Sequence, residues 1–143
     1  MKCIGALVKG CNVLRLIDRD DHSDDDVSRL NKQGIRVLSR RHIESYLYDD
    51  EVLAALCDQE GKPGEIPALL QDKREALEET VRQGKPADDI KSAAGLIYVS
   101  TKRRLTLTRV GNDPLAFARN VLAPLLTRNT AVYRDLREAI FGP

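Results

Sequence analysis

A chain of 143 residues with 42% hydrophobic and 31% charged residues is long enough for one ordinary domain to bury its own core, and too polar for a membrane protein. It has no apolar run of spanning length, and no basic start followed by a sustained apolar core and a cleavage site, so a cytoplasmic protein without a membrane partner is expected. The net charge of +1 conceals two unlike halves: residues 1–84 carry 13 Lys/Arg against 17 Asp/Glu, and residues 85–143 carry 10 against 5. An acidic half suited to metal followed by a basic half suited to phosphate points weakly to nucleic acid.

In chain order, Met1 to Gly10 is short and mostly apolar, and reads equally as a helix end or an edge strand. Asn12 to Asp18 has the β-type run Val13, Leu14, Leu16, Ile17 and predicts a strand. A helix follows from about Asp24 to Gln33, with Val27 and Leu30 inward and Gly34 at its C′ position. Ile35 to Leu38 is a second short strand, which makes the whole a right-handed βαβ unit with parallel strands.

The remainder reads as helical. Val52, Leu53 and Leu56 mark a short amphipathic helix, and the breakers Gly61, Pro63 and Gly64 mark a loop. Ile66 to Arg82 keeps one apolar stripe through a charged segment. After Gly84 and Pro86 the positions Ile90, Ala93, Ala94, Ile97 and Thr101 define another helix, beginning near Asp88. Leu105 to Val110 alternates like a strand but also fits a continuation of that helix. Leu115 to Leu125 is a helix interrupted by Pro124, and Val132, Leu136, Ala139 and Ile140 form the last. Residues 1–58 are thus expected to hold the α/β part and residues 59–143 a helical extension packed on it in one compact domain. Cys3, Cys11 and Cys57 lack metal-ligand spacing and read as buried reduced thiols.

The chemistry concentrates where the first strand ends. In an extended chain residues i and i+2 share a side, so Asp18 and Asp20 project into one small volume. Facing carboxylates repel unless a cation lies between them, and oxygen ligands of this kind suit Mg²⁺ or Mn²⁺ rather than zinc. The competing account is a solvated turn. Asp24, Asp25 and Asp26 are set aside, because Ser23 as N-cap with acids in the first helical turn explains them structurally. Glu44 follows the second strand and would reach the same rim; by itself it is also an ordinary surface position on a short helix.

Leu16-Ile17-Asp18-Arg19-Asp20-Asp21, then Gly34-Ile35-Arg36-Val37-Leu38, then Arg40-Arg41-His42-Ile43-Glu44-Ser45-Tyr46-Leu47 together resemble the Toprim (topoisomerase-primase) domain. The likeness is to the version carried at the C-terminus of overcoming-lysogenization-defect (OLD) type ATPases, and it covers roughly Val13 to Leu56. The resemblance implies a partial Toprim-like parallel sheet and a metal-dependent nuclease acting on DNA. Asp18, Asp20 and Glu44 would then hold one or two Mg²⁺ (or Mn²⁺) ions that activate water and stabilise the leaving oxygen. Lys91 would neutralise developing charge, and Lys102, Arg103 and Arg104 would hold the phosphate backbone; a solvated helix lysine and a solvated helix end are the plain alternatives.

Two departures from the family pattern shape the expectation. A Toprim fold begins with a strand ending in Glu, and no acid precedes Asn12; there is also no phosphate-binding loop of the Gly-x-x-x-x-Gly-Lys-Ser/Thr type. The chain is therefore expected to be incomplete or weakly active alone, with an ATPase domain or chain, or a second copy of itself, as further partners. The alternative is a non-catalytic, Toprim-derived module that binds a metal or a partner. A receiver-like phosphoacceptor site is a third reading, and it lacks the further strand-end Asp and late-strand Lys it needs.

Overall fold

The computed structural model describes residues 13–108 and 113–143. It is mostly helical, with one small two-stranded parallel sheet. Strand β1 (Arg15–Ile17) pairs with β2 (Ile35–Val37) in parallel, Leu16 opposite Arg36, and helix α1 (Asp24–Lys32) connects them. The pairing continues one step beyond the strands, because the Leu38 N–H donates to the Ile17 carbonyl at 3.0 Å. A strand-helix-strand unit was expected from the residues; the strands are shorter than expected, three residues each.

Helix α1 starts where the acids predict. Ser23 accepts from the Asp26 N–H while Asp26 accepts from the Ser23 N–H, both at 3.1 Å, a reciprocal cap. Gly34 follows the C-cap of α1 in the left-handed region (φ 78°), where a Cβ is unfavourable, and turns the chain into β2. Beyond β2 come α2 (Glu44–Leu47) and α3 (Asp50–Gln59), then α4 (Ile66–Arg82) and α5 (Ile90–Leu105). Helix α6 (Pro114–Phe117) runs on through a wider turn at Ala118–Leu122 and a tighter one at Ala123–Leu125, and α7 (Ala131–Phe141) closes the chain. The irregularity has a simple cause: Pro124 has no N–H to offer the Asn120 carbonyl four residues back.

The core is organised on α5. Ile90, Ala93, Ala94, Ile97, Tyr98, Thr101 and Leu105 are all buried, so the helix is covered along a broad face and packs most closely on α4. Small residues at 93 and 94 let neighbouring elements approach, and Phe117 fills the space beside Tyr98 and Tyr48, with ring centroids 5.2 and 6.2 Å apart. Each such large side chain contributes roughly 1.5–3 kcal/mol by leaving water. One contiguous cluster runs from Leu38 through Leu53, Leu69 and Ile97 to Val132, so it crosses the division at residue 58.

The alternating stretch at Leu105 resolves into a helix end. Thr106 adopts the left-handed conformation (φ 54°) as the C-cap of α5, and no strand forms at 105–108; Arg109 and Val110 lie outside the described residues. Met1 to Asn12, with Cys3 and Cys11, also lie outside them. Cys57 is a buried free thiol, and burial pushes its pKa up. Among the described residues no helix is long and apolar enough to cross a membrane.

Candidate functional site

Parallel pairing places the ends of β1 and β2 on one edge of the sheet, and the loops leaving that edge are laced together. Asp18, immediately after β1, accepts from the Ile43 N–H at 3.2 Å. The Asp20 N–H donates to the Arg41 carbonyl at 3.0 Å, and His42 Nε2 lies 3.1 Å from Asp20 Oδ1. Arg41 spans two loops, donating to Asp21 at 2.8 Å and to Asp88, ahead of α5, at 2.7 Å. Hydrogen bonds to Asp88 and then Asp21 raise the pKa of the Arg41 guanidinium.

The backbone between the two carboxylates corrects one expectation. Alternation of sides requires an extended chain through residue 20, whereas Asp20 sits at φ 46°, in the left-handed region. The chain turns there to meet the Arg41 carbonyl, so shared-side geometry ends at Asp18. Aspartate tolerates this conformation better than most residues.

The β2–α2 loop is held by a hub that the residues alone did not reveal. Tyr46 is fully buried, and its hydroxyl oxygen accepts from the Ser39 N–H at 3.0 Å and the Arg40 N–H at 3.1 Å. Ser39 Oγ spends its one proton on Asp135 at 2.8 Å. The Tyr46 hydroxyl must therefore be the donor in the 2.7 Å contact with Ser39 Oγ. A chain runs from two backbone amides through Tyr46 and Ser39 to a carboxylate on α7. Arg40 reinforces it, bonded to Asp49 at 2.6 Å and Asp135 at 3.0 Å while lying 4.9 Å over the Tyr46 ring. The sequence signal was present in the Glu-x-Tyr-Leu pattern, but nothing in it distinguishes a hydroxyl hub from a core tyrosine.

Glu44 opens α2, and its Oε2 is buried with no hydrogen-bond partner among the described residues. It lines a cleft of about 640 Å³ between α2, α5 and the 113–123 segment, together with Lys91 and Arg119. Neither Asp18 nor Asp20 lines that cleft. The expected set thus divides: Glu44 and Lys91 come together, and Asp18 and Asp20 remain in the laced loops beside them.

Among the described residues no group of three or more His, Cys, Asp or Glu side chains is placed to hold a metal ion. Asp18 already accepts a backbone N–H, Asp20 faces His42 and Glu44 turns into the cleft, so the arrangement does not fit a shared Mg²⁺ or Mn²⁺ ion.

The expected basic triplet divides as well. Lys102 and Arg103 are exposed, Lys102 Nζ lying 5.8 Å from the Tyr98 ring centroid. Arg104 instead turns to α4: it grips both Asp72 oxygens and reaches Glu65 at 3.4 Å. The Asp72 bonds raise its pKa, and its role here is to tie α5 to α4. Asp89, ahead of α5, caps that helix by accepting from the Ser92 N–H at 3.0 Å and its hydroxyl at 2.7 Å. Burial pushes the Asp89 carboxyl up, but the Ser92 bonds, with His42 and Lys85 nearby, outweigh it and hold the group below the usual carboxylate range.

Comparison with protein-family models, curated proteins and solved structures finds no match to this chain.

Proposed function

We propose that this chain is a Toprim-like module acting on nucleic acid, with phosphodiester hydrolysis on DNA as its reaction and slow turnover in the laced form described above. The observation that carries the reading is the parallel β1–α1–β2 unit with Asp18 at one strand end and the Glu44-bearing turn beyond the other, tied by the Ile43–Asp18 hydrogen bond. Strand carboxyl ends are where open α/β sheets gather their sites. Lys91 beside Glu44, and the exposed Lys102 and Arg103, supply positive charge for phosphates. The three carboxylates as placed do not fit a shared Mg²⁺ or Mn²⁺ ion, so metal-dependent hydrolysis would require both the Asp20–His42 contact to open and Glu44 to turn back from its cleft. An ATPase domain or chain, or a second copy, is the partner expected to raise activity.

The second reading, a non-catalytic nucleic-acid- or partner-binding module, is favoured by the lack of a three-ligand group among the described residues. One experiment separates the two: nicking of supercoiled plasmid in Mn²⁺ or Mg²⁺, with binding followed at two salt concentrations. Slow nicking that disappears in Asp18→Asn and Asp20→Asn supports the hydrolase. Salt-sensitive binding without nicking supports the module, and nicking unchanged in both variants overturns the assignment of the acidic edge.

A further inference from the structure

The cleft that holds Glu44 and Lys91 has features the acidic edge does not explain. Its walls are apolar, with Ile43 and Leu47 from the α2 side, Ala94 from α5, and Leu115 and Ala118 opposite. Its volume of about 640 Å³ lies within the range of small-molecule sites. Three groups in it lack adequate partners. Glu44 Oε2 is buried and has no hydrogen-bond partner among the described residues, and such an oxygen calls for an N–H or O–H donor. Lys91 makes no ion pair or hydrogen bond among the described residues. Among the described residues Arg119 makes only a 3.4 Å contact, to its neighbour Asn120. The fourth charged group, Asp113, is already engaged, accepting from the Ala116 N–H at 2.8 Å as the cap of α6.

We propose that this cleft is a nucleoside monophosphate site, the base lying between the apolar walls and the phosphate on Lys91 and Arg119. The chemistry of the three open groups selects this class. A planar base presents apolar faces to Ile43, Leu47 and Leu115 and an exocyclic amine to Glu44 Oε2, which an alkyl chain does not. A phosphate accepts from both cations at once, the guanidinium offering a two-pronged donor. An apolar amino acid would satisfy the same charges through its ammonium and carboxylate, but it leaves most of this volume empty. The inference does not rest on hydrolysis at the acidic edge, because neither Asp18 nor Asp20 lines the cleft.

The test is calorimetric titration of the full chain with AMP, inorganic phosphate, n-octyl phosphate and L-leucine, in EDTA and without DNA, so that failure of the nuclease reading leaves the result intact. Saturable AMP binding is expected, with inorganic phosphate and octyl phosphate weaker. Arg119 and Leu115 are exposed, so Arg119→Gln and Leu115→Asp should keep the wild-type melting temperature. Each should weaken AMP about tenfold, the size of one lost charge-assisted contact or one introduced like charge. Glu44→Leu should bring AMP down to the level of octyl phosphate. Equal binding of inorganic phosphate, equal or tighter binding of octyl phosphate or L-leucine, unchanged AMP affinity in the variants, or no saturation by AMP at about 1 mM would each overturn the proposal.

Discussion

Replacing Tyr46 by Phe removes one oxygen from the centre of the β2–α2 loop and leaves the ring in place. The loss is threefold: the Ser39 and Arg40 N–H groups lose their acceptor, and Ser39 Oγ loses the proton donated to it. A typical hydrogen bond contributes about 1 kcal/mol net, and a donor left unpaired away from water costs about 1–3 kcal/mol. Water reaches part of this loop, so the three terms are not fully additive and a loss of about 2 kcal/mol is expected. At this chain length each kcal/mol lowers the melting temperature by about 3–5 °C. The assay is urea unfolding followed by circular dichroism, with Tyr133→Phe as control, since the Tyr133 hydroxyl on α7 makes no hydrogen bond among the described residues. A drop in the midpoint at unchanged slope is the expected result. A loss under about 0.5 kcal/mol, or one equal to that of Tyr133→Phe, would refute the hub.

Two further outcomes follow from the helix ends. Asp89 has a lowered pKa in the folded chain, so its stabilising effect is complete above the ordinary carboxylate value and is lost as pH falls through the folded value. Asp89→Asn should therefore flatten the acid side of the stability–pH curve while costing little at neutral pH, because Asn caps nearly as well; an unchanged acid limb in a pH series of melting curves would count against it. Thr106 is β-branched and left-handed, with a 3.2 Å hydrogen bond from the half-buried Lys62 as its only side-chain partner among the described residues. Thr106→Gly should stabilise the protein by about 0.5–1 kcal/mol, and a lower urea midpoint would show that its side chain contributes more than the backbone strain costs.

The helices were legible because their signals are local. The bounds of α4, Ile66 to Arg82, are legible to the residue, since one apolar stripe and flanking breakers suffice to define it. Ser23 and the three acids marked the start of α1 for the same reason. The βαβ order was legible, but the strands came out short because the chain bends away at Asp18 and Ser39 to join the laced loops, a tertiary effect with no local marker. The site was the least legible part. Reading Asp18 and Asp20 as a facing pair assumed an extended backbone, and the left-handed turn at Asp20 depends on the Arg41 carbonyl, 21 residues away in sequence. Tyr98 and Arg119 carry no local marker, because what each one faces is set only where α5 meets the segment after Pro114.

The basic residues of the Arg40-Arg41-His42 run, together with Arg19, offset most of the acids at this edge. Asp21 and Asp88 share Arg41, Asp49 and Asp135 share Arg40, Asp20 faces His42, and Asp24 pairs with Arg19 at 2.7 Å. Most of these pairs are partly exposed, and such pairs individually contribute little. Their collective effect is on specificity of arrangement: Arg40, Arg41 and His42 each reach carboxylates outside their own loop, which relieves much of the repulsion among the acids, while Asp18 is met by the Ile43 N–H alone among the described residues. Any divalent ion arriving at this edge competes with Arg41 and His42 for Asp20 and Asp21. Removing His42 while keeping Arg41 is accordingly the substitution that should expose Asp20 to an incoming ion with the rest of the lacing intact.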